Sequence, residues 1–341
     1  MKLNFIQVHR ALFAFAILVY HFSSSSMNQT GVFIPNAPLG VQAFFFISGF
    51  LMYTLYKDKI NNFTSVFWFI KKRIIRIFPL HLLLLNIFLL LEFLKYFIFI
   101  EYGISPNGGE PFTMNNFQNY LSNLFLLHSW IDNFGMGSFN YPSWSISVEF
   151  FLYIGFSVLL SNLTKSSYIK FLFFLIGMYF LYSFASNEII FGSISFILGI
   201  FASYFKERVV IVAAPFMSFA ANFFIILIIF STFELKFLNA FFLLMVFLFF
   251  NYSTFRKSNG HLSGPEKIAD YLGNISYSIY MWHALVIWIF TRIYEFINPG
   301  IVFSGTIDTL LLLTIVSLAV LTVSSISYKY LELKFLNKKN V

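Results

Sequence analysis

Apolar runs about as long as a bilayer is thick recur from one end of this 341-residue chain to the other. A helix needs about 20 such residues to cross ~30 Å of hydrocarbon. The runs fall near residues 4–22, 39–56, 77–99, 144–161, 169–186, 189–205, 209–231, 235–253, 271–292 and 305–328. They predict an all-α, polytopic integral membrane protein with about ten transmembrane helices. Only 11% of the residues are charged, against about 25% in soluble domains, and 51 are Phe. Lipid must therefore solvate much of the surface. With no Cys, a disulfide framework, a zinc–thiolate centre and a thiol nucleophile are excluded, and no metal is expected.

Placing the N-terminus inside leaves all but Lys95, Lys236 and Arg292 of the 22 Lys and Arg on the cytoplasmic side, which puts both termini there. The formal charge of +8 then reads as basic cytoplasmic loops, with no nucleic-acid partner. The first run lacks an A-x-A site and contains Arg10, so it reads as a retained span and not as a signal peptide. Within the long outer segment 100–143, "SPNGGEP" reads as a loop and "NNFQNYLSNLFLLHSW" as a helix along the interface. No repeat or inverted half is visible, and no soluble domain is expected after the last span, so residues 1–341 read as one transmembrane domain.

A charge within a span costs at least about 2.5–3.5 kcal/mol, so each one calls for a partner or a role. Arg10 and His21 bracket "RALFAFAILVYH". Their spacing is three helical turns plus about 20°, which puts them on one face about 16 Å apart. Alone, Arg10 reads as snorkelling to headgroups and His21 as an interface hydrogen-bonder; the shared face weakens both readings. "KKRIIRIFPLH" gathers Lys71, Lys72, Arg73 and Arg76. It serves equally as a topology anchor or as an anion clamp in which Arg73 and Arg76 grip phosphate, with Pro79 in the first turn of the third span. "NYPSWSISVEFFLY" sets Glu149 within the fourth span, where a carboxylate is either neutral or paired. "GVQAFFFISGF" holds Ser48 and Gly49, suited to close packing. "NISYSIYMWHALVI" puts Ser276, Tyr280 and His283 on one helical face. By depth, His21, Glu149 and His283 fall in the outer half, and Arg10, Arg73 and Arg76 at the inner side.

These five stretches resemble, in order, the signature segments of the membrane-bound acyltransferase family 3, O-acyltransferases that decorate cell-surface glycans. The Arg-x10-His segment matches Arg10 and His21, and an F-F-x-x-S-G-F segment matches Phe45, Phe46, Ser48, Gly49 and Phe50 with one residue fewer. R-x-x-R-x-x-P matches Arg73, Arg76 and Pro79. W-S-x-S-x-E matches Trp144, Ser145, Ser147 and Glu149, and S-Y-S-x-Y-x-x-H matches Ser276, Tyr277, Ser278, Tyr280 and His283. The closing "YLELKF" has Glu332 but not the proline the family often carries, and the esterase-like domain of many members is not expected after the last span.

The resemblance implies a bacterial cytoplasmic (inner) membrane enzyme. It would take an acetyl or other short acyl group from cytoplasmic acetyl-CoA, as co-substrate, to a hydroxyl of a cell-surface or lipid-linked glycan such as O-antigen. A separate extracytoplasmic transfer protein is an implied partner. His21 would be general base or transient acyl acceptor, oriented by Glu149, while Arg73, Arg76 and Arg10 hold the CoA phosphates. Tyr280, His283 or Ser48 would donate to the oxyanion, with Trp144, Ser147 and Tyr277 in support. Two competing classes fit the composition: a transporter or flippase moving a lipid-linked glycan or acyl intermediate without chemistry, and a scaffold subunit of a polysaccharide assembly machine.

Overall fold

The computed structural model describes residues 4–24, 34–103, 110–130, 135, 137–161, 186–206, 214–230, 236–253, 264–297 and 306–336. Its elements are α1 (Asn4–Ser23), α2 (Leu39–Tyr56), α3 (Phe63–Tyr102), α4 (Phe117–Leu124), α5 (Ser143–Leu160), α6 (Asn187–Lys206), α7 (Ala214–Ile229), α8 (Phe237–Ser253), α9 (Gly264–Asn274), α10 (Ser276–Ile297) and α11 (Thr306–Ser327). A π-helical turn (Tyr328–Glu332) and the short α12 (Leu333–Leu336) follow. Among the described residues there is no strand, and six helices are long and apolar enough to cross a membrane. The expected span at 169–186 lies outside the described residues apart from Ser186. Phe219, Phe242 and Leu90 stand exposed on helices, where lipid and not water would solvate them.

α3 departs most from the sequence reading. Its apolar run starts near residue 77, but the helix begins at Phe63, where Asn62 and Ser65 form a reciprocal capping box. Pro79 is therefore inside the helix and not in its first turn. The 40 residues span about 60 Å, roughly twice the hydrocarbon thickness. The segment 254–270, expected as a loop, contains the start of α9, and the helix breaks at Ile275 before α10 begins.

The chain forms two compact units. The first comprises Met1–Lys57 and Ser193–Tyr328. There α1 is central and packs against α2, α9, α10 and α11. The core between α1, α10 and α11 contains Ala14, Leu18, Val19, Phe22, Ile279, Val286, Ile287, Val316 and Val320. α9 crosses α1 closely because Gly273 has no side chain; a Cβ there would come within 2.5 Å of the Gln7 backbone. α2 meets the part of α6 beyond Ser193 in the same way. A Cβ on Gly49 would lie 2.0 Å from the Phe196 carbonyl oxygen, and one on Gly199 would lie 2.0 Å from that of Phe46. Hydrogen bonds flank this contact, Ser195 Oγ to Gln42 Oε1 (3.1 Å) and Thr54 Oγ1 with Ser203 Oγ (2.6 Å). Small residues that let backbones approach, with polar groups bonding across, are how helices associate where water supplies no hydrophobic drive.

The second unit comprises Asp58–Gly192 and Lys329–Val341, with α3 packed against α4, α5 and α12. The Glu92 carboxylate, buried on α3, holds the connection that follows the helix. It accepts from Lys95 Nζ at both oxygens (3.1 Å), from the Phe112 backbone N–H (2.8 Å) and from Asn115 Nδ2 (2.9 Å). Glu92→Ala leaves three protein donors without their acceptor, which costs about 1–3 kcal/mol or more. A lower melting temperature in detergent, with unchanged affinity for coenzyme A, is the expected result.

Candidate active site

In the first unit the two histidines of the sequence motifs meet. α1 carries His21 and α10 carries His283, and their rings stack with centroids 5.1 Å apart and planes 27° from parallel. His283 is buried behind a half-buried His21. Its Nδ1 contacts the Tyr280 carbonyl one turn earlier. A carbonyl can only accept, so the proton sits on Nδ1 and Nε2 is the basic nitrogen. Tyr20 meets His21 edge-on (5.1 Å), and Tyr280 lies against His283 (5.5 Å) and Phe44 (6.3 Å). Ser276 lies lower on the same helix, its hydroxyl bonded back to the Gly273 carbonyl (2.8 Å), while Tyr277 is half-buried. Ser48 is buried next to Gly49 in the α2–α6 contact.

Arg10, half-buried toward the start of α1, donates to Gln7 Oε1 (3.2 Å). Gln7 in turn donates to Asn274 Oδ1 (2.7 Å), which ties α1 to α9. The preceding residue, His9, is the group that sequence reasoning missed here. It is buried, with Nε2 on Asn222 Oδ1 (2.7 Å) and Nδ1 facing the Tyr252 hydroxyl (3.1 Å); Asn251 donates to the same Asn222 oxygen (2.8 Å). The signal was available: a second basic side chain beside Arg10 in an apolar run.

In the second unit Arg73 and Glu149 of the motifs meet on one shared neighbour, Tyr153. Depth counting put Arg73 at one edge and Glu149 in the opposite half. In the structure both contact Tyr153, because α3 starts early enough to carry Arg73 about 15 Å into the helix. The Arg73 guanidinium carbon lies 5.4 Å from the Phe69 ring and 5.6 Å from the Tyr153 ring. The Tyr153 hydroxyl donates to Glu149 Oε1 at 2.5 Å. Arg76 pairs with the buried Glu332 (3.3 Å), to which the sequence reading gave no role. Lys72 Nζ sits 3.8 Å above the Trp68 ring.

The remaining motif residues of α5 have structural partners. The buried Ser147 hydroxyl donates to the Leu126 carbonyl (2.7 Å) and accepts from the Ser129 backbone N–H (3.3 Å); the Ser147 carbonyl accepts from the Trp130 indole (3.1 Å). It thus fastens residues 126–130 to α5. Trp144 is half-buried one turn earlier. A second imidazole pair, His81 and His128, lies nearby in the same unit with parallel rings 6.4 Å apart. His81 Nε2 donates to the Asn123 carbonyl (2.9 Å), and His128 Nε2 meets Ser143 Oγ (3.1 Å). Burial first, and His81 second, push the His128 imidazole down to about 3, so it is neutral at physiological pH. Among the described residues no three His, Cys, Asp or Glu gather as a metal would need.

A family model described as an acyltransferase domain matches residues 3–329, nearly the whole chain. Comparison with curated proteins finds no match, and comparison with solved structures finds none.

Proposed function

The chain belongs to the membrane-bound acyltransferase family 3, and on that premise we propose that it transfers an acetyl or other short acyl group from cytoplasmic acyl-CoA to a hydroxyl of a cell-surface or lipid-linked glycan. The observation that carries this reading is the His21–His283 stack, which joins the first and last of the motif segments on facing helices. A half-buried imidazole backed by a second ring, with aromatic walls from Tyr20 and Tyr280, suits proton transfer at a carbonyl centre. In the proposed reaction His21 takes the proton of the acceptor hydroxyl while that oxygen bonds to the thioester carbon. The tetrahedral oxyanion then expels the CoA thiolate, which takes the proton back from the imidazolium, leaving the ester and free CoA. Arg73 is assigned the donor phosphates, because the Phe69 and Tyr153 rings hold its guanidinium in position. Arg76 and Arg10 assist as further cations. The assigned setting is a bacterial inner membrane crossed about ten times by one domain, with both termini inside.

The experiment is direct. Purified protein in liposomes, given acetyl-CoA and a glycan acceptor, is expected to release free CoA thiol; a flippase would move its cargo and release none. Arg73→Ala should raise KM for acyl-CoA about tenfold or more, the scale of a lost charge-assisted hydrogen bond. Unchanged donor dependence in that variant would return Arg73 to the role of topology anchor.

A further inference from the structure

We infer that Tyr153 is a positioning residue that couples the donor-binding cation to the acidic motif residue: its ring supports Arg73 and its hydroxyl holds Glu149. The inference rests on the functional reading above, and it adds a residue to which the motif match gave no role. It also separates two jobs within one side chain.

The geometry is compact. Glu149 and Tyr153 are i and i+4 on α5, so they are neighbours on one helical face. The phenol donates to the carboxylate, and a carboxylate accepting such a charge-assisted bond has one oxygen fixed in direction. Tyr153 is buried, so the bond is shielded from competing water. The face of the same ring lies 5.6 Å from the Arg73 carbon, and Phe69, edge-on to Tyr153 at 6.0 Å, supplies a second surface for the guanidinium. Phe156 packs behind Phe69 (5.9 Å). Two rings beside the guanidinium carbon hold the cation in place by cation–π attraction, and a guanidinium so held is suited to phosphate contact. A movement of Glu149 is therefore transmitted to Arg73 through one rigid ring, and the reverse holds as well.

The two jobs are separable by substitution. Tyr153→Phe keeps the ring and deletes the hydroxyl, while Tyr153→Leu deletes both. The measurements are coenzyme A binding to the purified protein, turnover of acetyl-CoA in liposomes, and melting temperature. Tyr153→Phe is expected to bind CoA within twofold of the parent while kcat falls about tenfold. Tyr153→Leu is expected to show the same loss of kcat and, in addition, CoA affinity weaker by about five- to tenfold. In a double-mutant cycle, Tyr153→Phe added to Glu149→Gln should reduce kcat no further than Glu149→Gln alone, since the hydroxyl acts through the carboxylate. A merely structural tyrosine would lower the melting temperature and affect both parameters together. Parent-like kcat in Tyr153→Phe overturns the inference, as does equal CoA affinity in the Phe and Leu variants. If Arg73→Ala loses CoA binding while Tyr153→Leu retains it, the inference alone falls. If Arg73→Ala binds CoA as the parent does, the assignment of Arg73 to the donor falls with it, and if the parent releases no CoA thiol, the functional reading itself falls. Should Tyr153→Leu fail to fold, Phe69→Leu tests the shelf from its other side, with weakened CoA affinity expected and parent-like affinity contrary.

Discussion

Replacing His21 by alanine is expected to cut acyl transfer by about 10²–10⁴-fold, the range for a lost general base, with the amount of protein in the membrane unchanged. The separation of the two effects follows from burial. His21 is only half-buried, so truncating it opens little cavity and leaves the α1–α10 packing of Leu18, Phe22 and Ile279 in place. His283 differs, because it is buried and its Nδ1 is committed to the Tyr280 carbonyl. Its truncation should lower both activity and melting temperature. CoA thiol release by reconstituted protein, alongside a membrane-fraction blot, reads both quantities. Full activity in His21→Ala would remove the mechanism.

The largest effect on stability is expected at a glycine. Gly49→Ala should cost about 3 kcal/mol or more, at or above the top of the overpacking range. The added carbon would lie 2.0 Å from the Phe196 carbonyl oxygen and 2.8 Å from its carbon, both backbone atoms that cannot rotate away. Relief requires α2 and α6 to separate, which also strains the Ser195–Gln42 and Thr54–Ser203 bonds beside the contact. Gly155 on α5 is the control: a Cβ there meets nothing within 4 Å, so Gly155→Ala should be neutral or slightly stabilising through helix propensity. Thermal unfolding in detergent, followed by size-exclusion, compares the two. Equal melting temperatures would show that the α2–α6 approach is looser than its geometry.

Much of the helical layout was legible, because in lipid the length of an apolar run and the length of a helix are set by the same thickness. The run at 39–56 coincides with α2, for example. α3 was misjudged because its first turns are cationic and aromatic, and hydropathy does not register an Asn62–Ser65 cap. α9 was missed because it is a short amphipathic helix of "GPEKIADYLGN", docked on α1 by one glycine whose partner, Gln7, lies far away in sequence. The site residues divide in the same way. Spacing showed that Arg10 and His21 share a face and that Ser276, Tyr280 and His283 form a stripe, but only tertiary packing joins His21 to His283. Tyr153 was overlooked although it stands four residues from Glu149, since an aromatic in an apolar run carries no visible charge to balance. Glu332 was given no role because "YLELKF" lacks the family's proline, and its partner, Arg76, lies more than 250 positions earlier.

α3 is one rod carrying four differently tethered groups: Arg73 to Tyr153, Arg76 to Glu332, His81 to the Asn123 carbonyl, and Glu92 to Phe112 and Asn115. If the rod were uniform, any twist imposed on the cationic end would be delivered undiminished to the carboxylate end. Pro79 breaks that uniformity, because it removes a rung from the ladder between Arg76 and His81 and so forms the compliant joint. The cationic arm and the carboxylate arm are thus two separately moored levers that share a joint with one backbone hydrogen bond fewer.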